Sequence, residues 1–191
     1  MFREIDRTLI DAEAIKRRVA AMADELAVAL QAEIDRTGID RVAVMPIMTG
    51  ALVFTADLIR RLPLKLSLEL ITVSSYPGRT TESRGATLRG SIPEGLGGAH
   101  VVVIDDILDS GRTLSTVQSA ILAQSPASLR FIVLLEKRAR REQEILAQHV
   151  GFQIPDEFVV GYGLDFDGYY RNLPDIATLK ADHVLGGASG G

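Results

Sequence analysis

Three aspartates follow a short apolar run near the middle of the chain, and their spacing suits sugar or metal binding. The run is residues 101–104 (Val-Val-Val-Ile), and it leads directly into Asp105 and Asp106, with Asp109 three residues further on. Four consecutive β-branched residues are typical of a central parallel strand that is buried on both faces. Carboxylates at the end of such a strand can accept hydrogen bonds from ribose hydroxyls or hold a magnesium ion.

The residues after these aspartates have the properties of a phosphate-binding loop. Gly111 lets the backbone approach a ligand closely or take a positive φ, and Ser110 and Thr113 add hydroxyl donors. A helix is predicted over residues 114–122, so free N–H groups and the positive end of the helix dipole favour a phosphate here. Two carboxylates beside a phosphate would repel it unless something bridges them. A ribose 5-phosphate meets this condition, with its phosphate on the loop and its 2- and 3-hydroxyls on the aspartates, and magnesium can cancel the remaining charge.

The composition narrows the class of protein. The chain has 191 residues, 47% apolar and 24% charged, which fits one globular domain with a substantial core. A net charge of −4 argues against nucleic acid or an acidic membrane as the main partner. With no cysteine and three scattered histidines, any metal is expected to be magnesium on oxygen ligands. There is no signal segment and no apolar run of about 20 residues, so a soluble cytoplasmic protein is expected.

Strands and helices alternate along the sequence, which predicts a doubly wound, mostly parallel α/β sheet. A long helix is predicted between a capping Asp11 and a terminating Gly38, because apolar residues recur every three or four positions between them. Further strands are predicted at 41–47, 64–75 and 129–135, with a turn at 48–50 and a helix at 51–61. Ligands of such sheets bind beyond the carboxyl ends of the strands. We expect one domain over residues 1–185 and a flexible tail at 186–191.

The segment 101–113 resembles the signature with which type I phosphoribosyltransferases bind phosphoribosyl pyrophosphate (PRPP). That signature is an apolar run, two acids, two apolar residues, Asp, Ser or Thr, Gly, any residue and Thr, and every position matches. Two other common phosphate loops, G-x-x-x-x-G-K-[ST] and a G-x-G-x-x-G that opens a helix, do not occur. The resemblance implies that PRPP is bound by Asp105, Asp106, Asp109, Ser110, Gly111, Arg112 and Thr113.

Later segments are similar to the hypoxanthine-guanine phosphoribosyltransferase family, whose base-binding strand and turn match residues 158–165. By this resemblance Lys137 donates to the 6-oxo group of a purine, Phe158 stacks on the purine ring, and the backbone of Val159 contacts the 2-position edge. A lysine favours an oxygen acceptor over the amino group of adenine, because ammonium has donors only. Apart from the resemblance, Lys137 would be a surface member of the basic run 137–141, and Phe158 would more often be a core residue.

The same resemblance assigns residues to the metal, the pyrophosphate and a lid. Asp165 would bind magnesium or a magnesium-bound water, with Asp105 and Asp106 as further carboxylates near the ion, and Arg171 would hold pyrophosphate. Ser75 and Tyr76 begin a long polar loop and would lie on a mobile lid that excludes water from the site. A small hood beside the main sheet completes the type I fold. Apart from the resemblance, Arg171 would more often be a surface residue.

One turn departs from the family pattern. Many relatives have Leu-Lys-Gly after the first core strand, with the lysine near pyrophosphate, whereas this chain has Met48, Thr49 and Gly50. The N–H groups of Thr49 and Gly50 can still bind pyrophosphate. The missing charge bears on how tightly pyrophosphate is held and on contacts between subunits.

The resemblance implies an enzyme that transfers the phosphoribosyl group of PRPP to hypoxanthine or guanine, giving IMP or GMP and pyrophosphate. Asp109 would be the general base or hydrogen-bond acceptor at nitrogen 7 of the purine, and relatives form homodimers or homotetramers. Two alternatives stay open: a regulator of the same fold that senses PRPP or nucleotides and binds nucleic acid, and a phosphoribosyltransferase for xanthine or a pyrimidine. The sequence does not rank hypoxanthine, guanine and xanthine, because backbone groups read the 2-position and leave no side-chain trace.

Overall fold

The computed structural model describes residues 3–72 and 92–180, and a six-stranded sheet forms its centre. The strands of the molecule are β1 (Ile5–Ile10), β2 (Val42–Met48), β3 (Leu66–Leu68), β4 (Ile71–Thr72), β5 (His100–Leu108), β6 (Ser128–Glu136), β7 (His149–Gln153), β8 (Val159–Val160) and β9 (Ile176–Leu179). The central order is β3-β2-β5-β6-β7, with β4 also beside β2, and these pairings are parallel. The parallel sheet predicted from the sequence is confirmed.

Three α-helices belong to the described residues: α1 (Ala12–Thr37), α2 (Leu52–Ile59) and α3 (Arg112–Leu122). The long helix begins and ends where its sequence signals predict. The side chain of Asp11 accepts a hydrogen bond from Ala14 N at 2.8 Å, and Gly38 ends the helix with a φ of 70°. None of these helices combines the length and the hydrophobicity needed to cross a membrane.

Alternate residues of β5 contribute to two separate cores. Val102 and Ile104 pack with α1 and α2, whereas Val101 and Val103 pack with α3. All four side chains are 0% exposed, which is why residues 101–104 carry no polar side chain. Burial on both faces fixes the strand firmly, so the aspartates at its carboxyl end start from a rigid position.

A second, three-stranded sheet forms a small unit beside the central one, where a hood is expected. In it β9 pairs antiparallel with both β1 and β8. The sequence patterns did not predict β1, β7 or β9. The small sheet fixes the segment that starts at Phe158, because β8 follows that residue directly.

The strand predicted over residues 64–75 is wrong as one continuous element. Within the described residues it is two short strands, β3 and β4, which pair with β2 on either side of a break at Glu69 and Leu70. Pro46 of β2 lies opposite this break, and proline has no N–H to donate to a ladder. The proposed lid residues Ser75 and Tyr76 and the tail 186–191 lie outside the described residues.

Candidate active site

The loop from Asp109 to Gly111 joins β5 to α3 and leaves the start of the helix open to a ligand. Gly111 takes a φ of +82° and has no side chain to cap α3, and Ser110 Oγ accepts from Arg112 N at 3.4 Å. A Cβ at this position would come within 3.0 Å of Ile145 Cγ2, so both conformation and space require glycine. A cavity of about 260 Å³ lies at the loop, lined by Ile47, Asp105, Asp106, Ile107, Leu108, Asp109, Ser110, Gly111, Thr113 and Leu114. The arrangement can bind an anion through main-chain N–H groups.

The side chain of Arg112 forms an ion pair with another segment and is not directed to anion binding at the loop. Its Nη2 lies 2.5 Å from Glu142 Oε2. The main-chain N–H of Arg112 donates to Ser110 Oγ at 3.4 Å, and its guanidinium pairs with the segment after β6. Ser110 and Thr113 are half-buried at the cavity.

Asp105 and Asp106 form a pair of carboxyl groups, of which Asp105 is buried and Asp106 is half-buried. Burial, together with the neighbouring charge of Asp106, raises the pKa of Asp105 well above its ordinary 3.8. Burial also raises the pKa of Asp106, against the opposing effects of hydrogen bonds and the charge of Arg171. The main chain donates to both: Asp106 N to Asp105 Oδ1 at 3.1 Å, and Ile107 N to Asp106 Oδ1 at 2.9 Å. The two carboxyl groups can accept more hydrogen bonds and more positive charge than these neighbours supply. A ligand that brings sugar hydroxyls or a cation would therefore suit the pair.

Tertiary contacts bring the turn at Gly50 against this pair. A Cβ on Gly50 would lie 1.7 Å from Asp106 Oδ2, and a Cβ on Gly163 would lie 2.3 Å from Gly50 O. Arg171 Nη1 donates to Gly163 O at 2.6 Å, and its Nη2 lies 2.7 Å from Asp165 Oδ1. The structure therefore brings together residues from three separate parts of the sequence, as a pyrophosphate site requires.

Thr49, which replaces the lysine of many relatives, is exposed at the rim of this cluster. The peptide bond between Met48 and Thr49 is cis. The carbonyl of Thr49 accepts from Leu52 N at 3.1 Å, which ties the turn to the start of α2.

Lys137 is buried, unlike the other members of its basic run. It is 6% exposed, and its Nζ lies 3.8 Å from Asp156 Oδ1. Its N–H donates to Leu108 O at 3.0 Å, which places it beside the end of β5. The surface interpretation of this lysine is wrong, because the run turns outward only at residues 138–140.

Phe158 has an accessible aromatic face. It is 45% exposed and packs edge-to-face on Phe166, with ring centroids 5.4 Å apart. The next residue, Val159, is buried and pairs with Thr178 of β9. A half-exposed ring beside a fixed strand can serve as a stacking platform, and the core interpretation of Phe158 is wrong.

Asp109 lines the cavity at the loop, and its two carboxylate oxygens have different surroundings. Its Oδ2 accepts from Arg140 Nη1 at 3.5 Å, whereas Oδ1 is buried without a hydrogen-bond partner in the described part of the chain.

Sequence reasoning did not single out Arg140, Asp156 or Gly163. Gly163 lies inside the matched segment 158–165, so its place there was the available signal. Asp156 and Arg140 carried no motif of their own.

A second cavity, of about 750 Å³, lies between α1, α2 and residues 171–174. It shares Arg171 with the cluster around Asp165 but is lined by neither Asp105, Asp106 nor Asp109. We therefore treat it as separate from the phosphate loop.

A parallel sheet whose central strand ends in paired carboxylates, followed by a glycine-led helix, defines a phosphosugar-binding protein of the α/β class. Residues 11–167 match the family model of the phosphoribosyl transferase domain. The chain belongs to this family, and the family and fold class predicted from the sequence are confirmed.

Individual relatives agree with this assignment. The chain is 42% identical over 136 residues to a hypoxanthine-guanine phosphoribosyltransferase of Staphylococcus epidermidis, which covers 71% of this chain and 76% of the relative. It superposes on a hypoxanthine-guanine phosphoribosyltransferase of Bacillus anthracis with a TM-score of 0.80 at 39% identity, covering 93% of this chain and all of the other. A hypoxanthine phosphoribosyltransferase of Trypanosoma cruzi, solved with its product IMP, gives a TM-score of 0.87 at 30% identity, covering 99% and 97% of the two chains.

Proposed function

We propose that this protein is a purine-salvage enzyme that transfers the 5-phosphoribosyl group of PRPP to hypoxanthine, guanine or both, releasing pyrophosphate. The observation that carries the proposal is the pair Asp105 and Asp106, one buried and one half-buried, beside the glycine-led loop at Gly111. The names of the relatives, hypoxanthine and hypoxanthine-guanine phosphoribosyltransferases, support the choice of base.

PRPP binds along the loop. Asp105 and Asp106 accept hydrogen bonds from the ribose hydroxyls, which offsets the cost of their burial. The 5-phosphate accepts from the main chain at the start of α3 and from two hydroxyl groups; the residues involved are Ser110, Gly111, Arg112 and Thr113. These hydrogen bonds to the ribose and the 5-phosphate fix the position of the anomeric carbon relative to the base.

The base binds on the other side of the loop. Phe158 stacks on the purine ring, Lys137 donates to the 6-oxo group, and the backbone of Val159 contacts the 2-position edge. The carboxylate of Asp109, which lines the cavity at the loop, accepts a hydrogen bond from nitrogen 7. A buried ammonium with no acceptor role favours a 6-oxopurine over adenine.

Pyrophosphate leaves toward the cluster of Thr49, Gly50, Arg171 and Asp165. Within the described residues, no three histidine, aspartate or glutamate side chains converge as a metal cage. Magnesium does not need one, because it binds through one or two carboxylates together with substrate phosphates. Asp165, Asp105 and Asp106 supply oxygen ligands of this kind, and the ion when bound would neutralise the charge of the departing pyrophosphate.

The reaction is the attack of nitrogen 9 of the base on the anomeric carbon as pyrophosphate departs, through a transition state like an oxocarbenium ion. Asp109 acts as general base or hydrogen-bond acceptor for the proton at nitrogen 7 of the purine, a contribution to the rate that is typically about 10²–10⁴-fold.

Closure of a lid that carries Ser75 and Tyr76 stays a prediction, as do a homodimer or homotetramer and a cytoplasmic location. Light scattering after size-exclusion chromatography measures the oligomeric state.

An activity panel of five bases tests the proposal. The chain is incubated with PRPP, magnesium and hypoxanthine, guanine, xanthine, adenine or uracil, and nucleotide is measured by chromatography. Hypoxanthine or guanine should give IMP or GMP, and adenine and uracil should give none. Activity with xanthine or uracil alone would assign another base. No nucleotide from any base, combined with salt-dependent binding to RNA or DNA, would favour the regulator.

A further inference from the structure

Arg140 and Asp109 have a contact that leaves one oxygen of the carboxylate free. Oδ2 accepts from Arg140 Nη1 at 3.5 Å, and Oδ1 is buried without a hydrogen-bond partner among residues 3–72 and 92–180. A buried oxygen that lacks a donor is unfavourable. Within the described residues, Arg140 is the side chain that contacts this carboxylate, so it is the group that can hold the orientation of the carboxylate.

Asp156 connects this arginine to the lysine of the base site. Arg140 Nε and Lys137 Nζ each lie 3.8 Å from Asp156 Oδ1. The Lys137 side chain is 7% exposed and that of Arg140 is 57% exposed, so the shared carboxylate lies between a buried and a surface cation. The two polar groups assigned to the base, Lys137 and Asp109, are thus linked through a single pair of side chains.

The main chain at Asp109 is held by a different residue. Arg141 Nε donates to Asp109 O at 3.3 Å, its Nη2 to Glu136 Oε1 at 2.9 Å and its Nη1 to Ile145 O at 2.7 Å. Glu136 and the Arg141 side chain are largely buried. Loss of Arg140 should therefore leave the path of the loop unchanged and affect the carboxylate alone.

We propose that Arg140 is a positioning residue that holds the carboxylate of Asp109 in place for the base, and that Asp156 aligns Arg140 and Lys137 together. The inference rests on the proposed function and deepens it. Neither residue touches the substrate; both act through groups that do. Turnover should therefore depend on Arg140, while PRPP binding, which uses the other end of the loop, should not.

A double-mutant cycle tests the coupling, using the full chain and the base that the wild type uses best. Arg140→Met should lower kcat about tenfold, since misplacement of a reacting group by 1 Å can cost about 10²-fold. Its KM for PRPP should stay within about twofold of wild type. In an Asp109→Asn background the same change should lower kcat by less than about twofold, because the carboxylate that it orients is gone. Equal losses in both backgrounds would overturn the proposal.

Further variants of the same turn test whether the loss of kcat comes from the position of Arg140, from the loss of a positive charge or from a folding defect. Arg138→Met is the matched control, because Arg138 is 73% exposed and donates to Glu136 Oε2 at 3.1 Å. It should keep wild-type kcat, and Arg140→Lys should recover part of the loss. Arg141→Met should lower the melting temperature, whereas Arg140→Met should not. A loss of kcat in Arg138→Met equal to that in Arg140→Met would overturn the proposal.

Asp156→Asn tests the role of Asp156 independently of the Arg140 variants. It should raise KM for the base and lower kcat, with little change in KM for PRPP. An unchanged base KM and kcat in this variant would overturn the role of Asp156. An inactive wild-type chain would overturn the proposed function and this inference with it, whereas an active wild type with an unaffected Arg140→Met variant would overturn only this inference.

Discussion

Gly50 lies so close to the carboxylate of Asp106 that a Cβ on it would be 1.7 Å from Oδ2. Its backbone is not in the positive-φ region that favours glycine, so space alone requires this residue. The contact joins the turn after β2 to the end of β5, and it sets the position of one carboxylate of the site.

Gly50→Ala should displace Asp106 and impair PRPP binding. We expect kcat/KM for PRPP to fall by about 10²-fold, because a shift of about 1 Å in a binding group has an effect of this size. Gly97→Ala is the control, since its Cβ would meet only Gln124 O, at 3.3 Å. Steady-state kinetics at varied PRPP measure the effect. Wild-type PRPP kinetics in Gly50→Ala would contradict the assignment of Asp106.

Asp109→Ala should separate chemistry from binding. Turnover should fall by about 10²–10⁴-fold, the usual contribution of a positioned acid or base. PRPP binding, measured by calorimetry, should be largely intact because the main chain at Gly111 is unchanged. Glu144→Gln, at an exposed position of a nearby segment, should keep full activity. Equal turnover in the Asp109→Ala variant would refute the role.

Lys137→Met should weaken recognition of the 6-oxo group. Hydrogen bonds to charged groups contribute about 1.5–3 kcal/mol, so kcat/KM for the 6-oxopurine should fall by about 10–100-fold. KM for PRPP should change little, and methionine fills a similar volume at this buried position. Arg138→Met, which removes an exposed cation from the adjacent position, is the control. A base-independent loss would mean that Lys137 acts on folding or on PRPP.

Asp105→Asn should stabilise the protein while it impairs the enzyme. Burial and the charge of Asp106 raise the pKa of Asp105 above its ordinary 3.8, so the folded state binds a proton more tightly than the unfolded chain. The carboxyl group therefore favours folding most below its unfolded pKa, and this contribution is lost as pH rises through the raised folded pKa. Asparagine is neutral at every pH and can still accept from Asp106 N.

Calorimetry with a chelator present measures this effect. At about pH 7.5 the melting temperature of Asp105→Asn should exceed that of wild type by about 2–4 °C, and the difference should shrink toward about pH 4. Asp40→Asn, at an exposed position, should show no such trend. A lower melting temperature at every pH would mean that the charged form is already compensated in the folded protein.

Features that depend on neighbouring residues follow from the amino-acid sequence alone. The caps of α1 at Asp11 and Gly38 are local hydrogen-bonding and φ requirements. The run 101–104 could only be a doubly buried strand, and the loop at Gly111 is contiguous in sequence, so its chemistry and the family resemblance could be read directly.

Features that depend on pairing between distant segments become visible in the folded molecule. The register between β2 and the edge strands places Pro46 opposite Leu70, in the break at Glu69 and Leu70 that divides the predicted strand 64–75. Burial of Lys137, the contact of Gly50 with Asp106 and the pKa of the aspartates depend on which segments pack together. Periodicity and motifs predict local structure and the chemistry available to a residue. Its solvent exposure and its electrostatic environment depend on residues that are distant in the sequence.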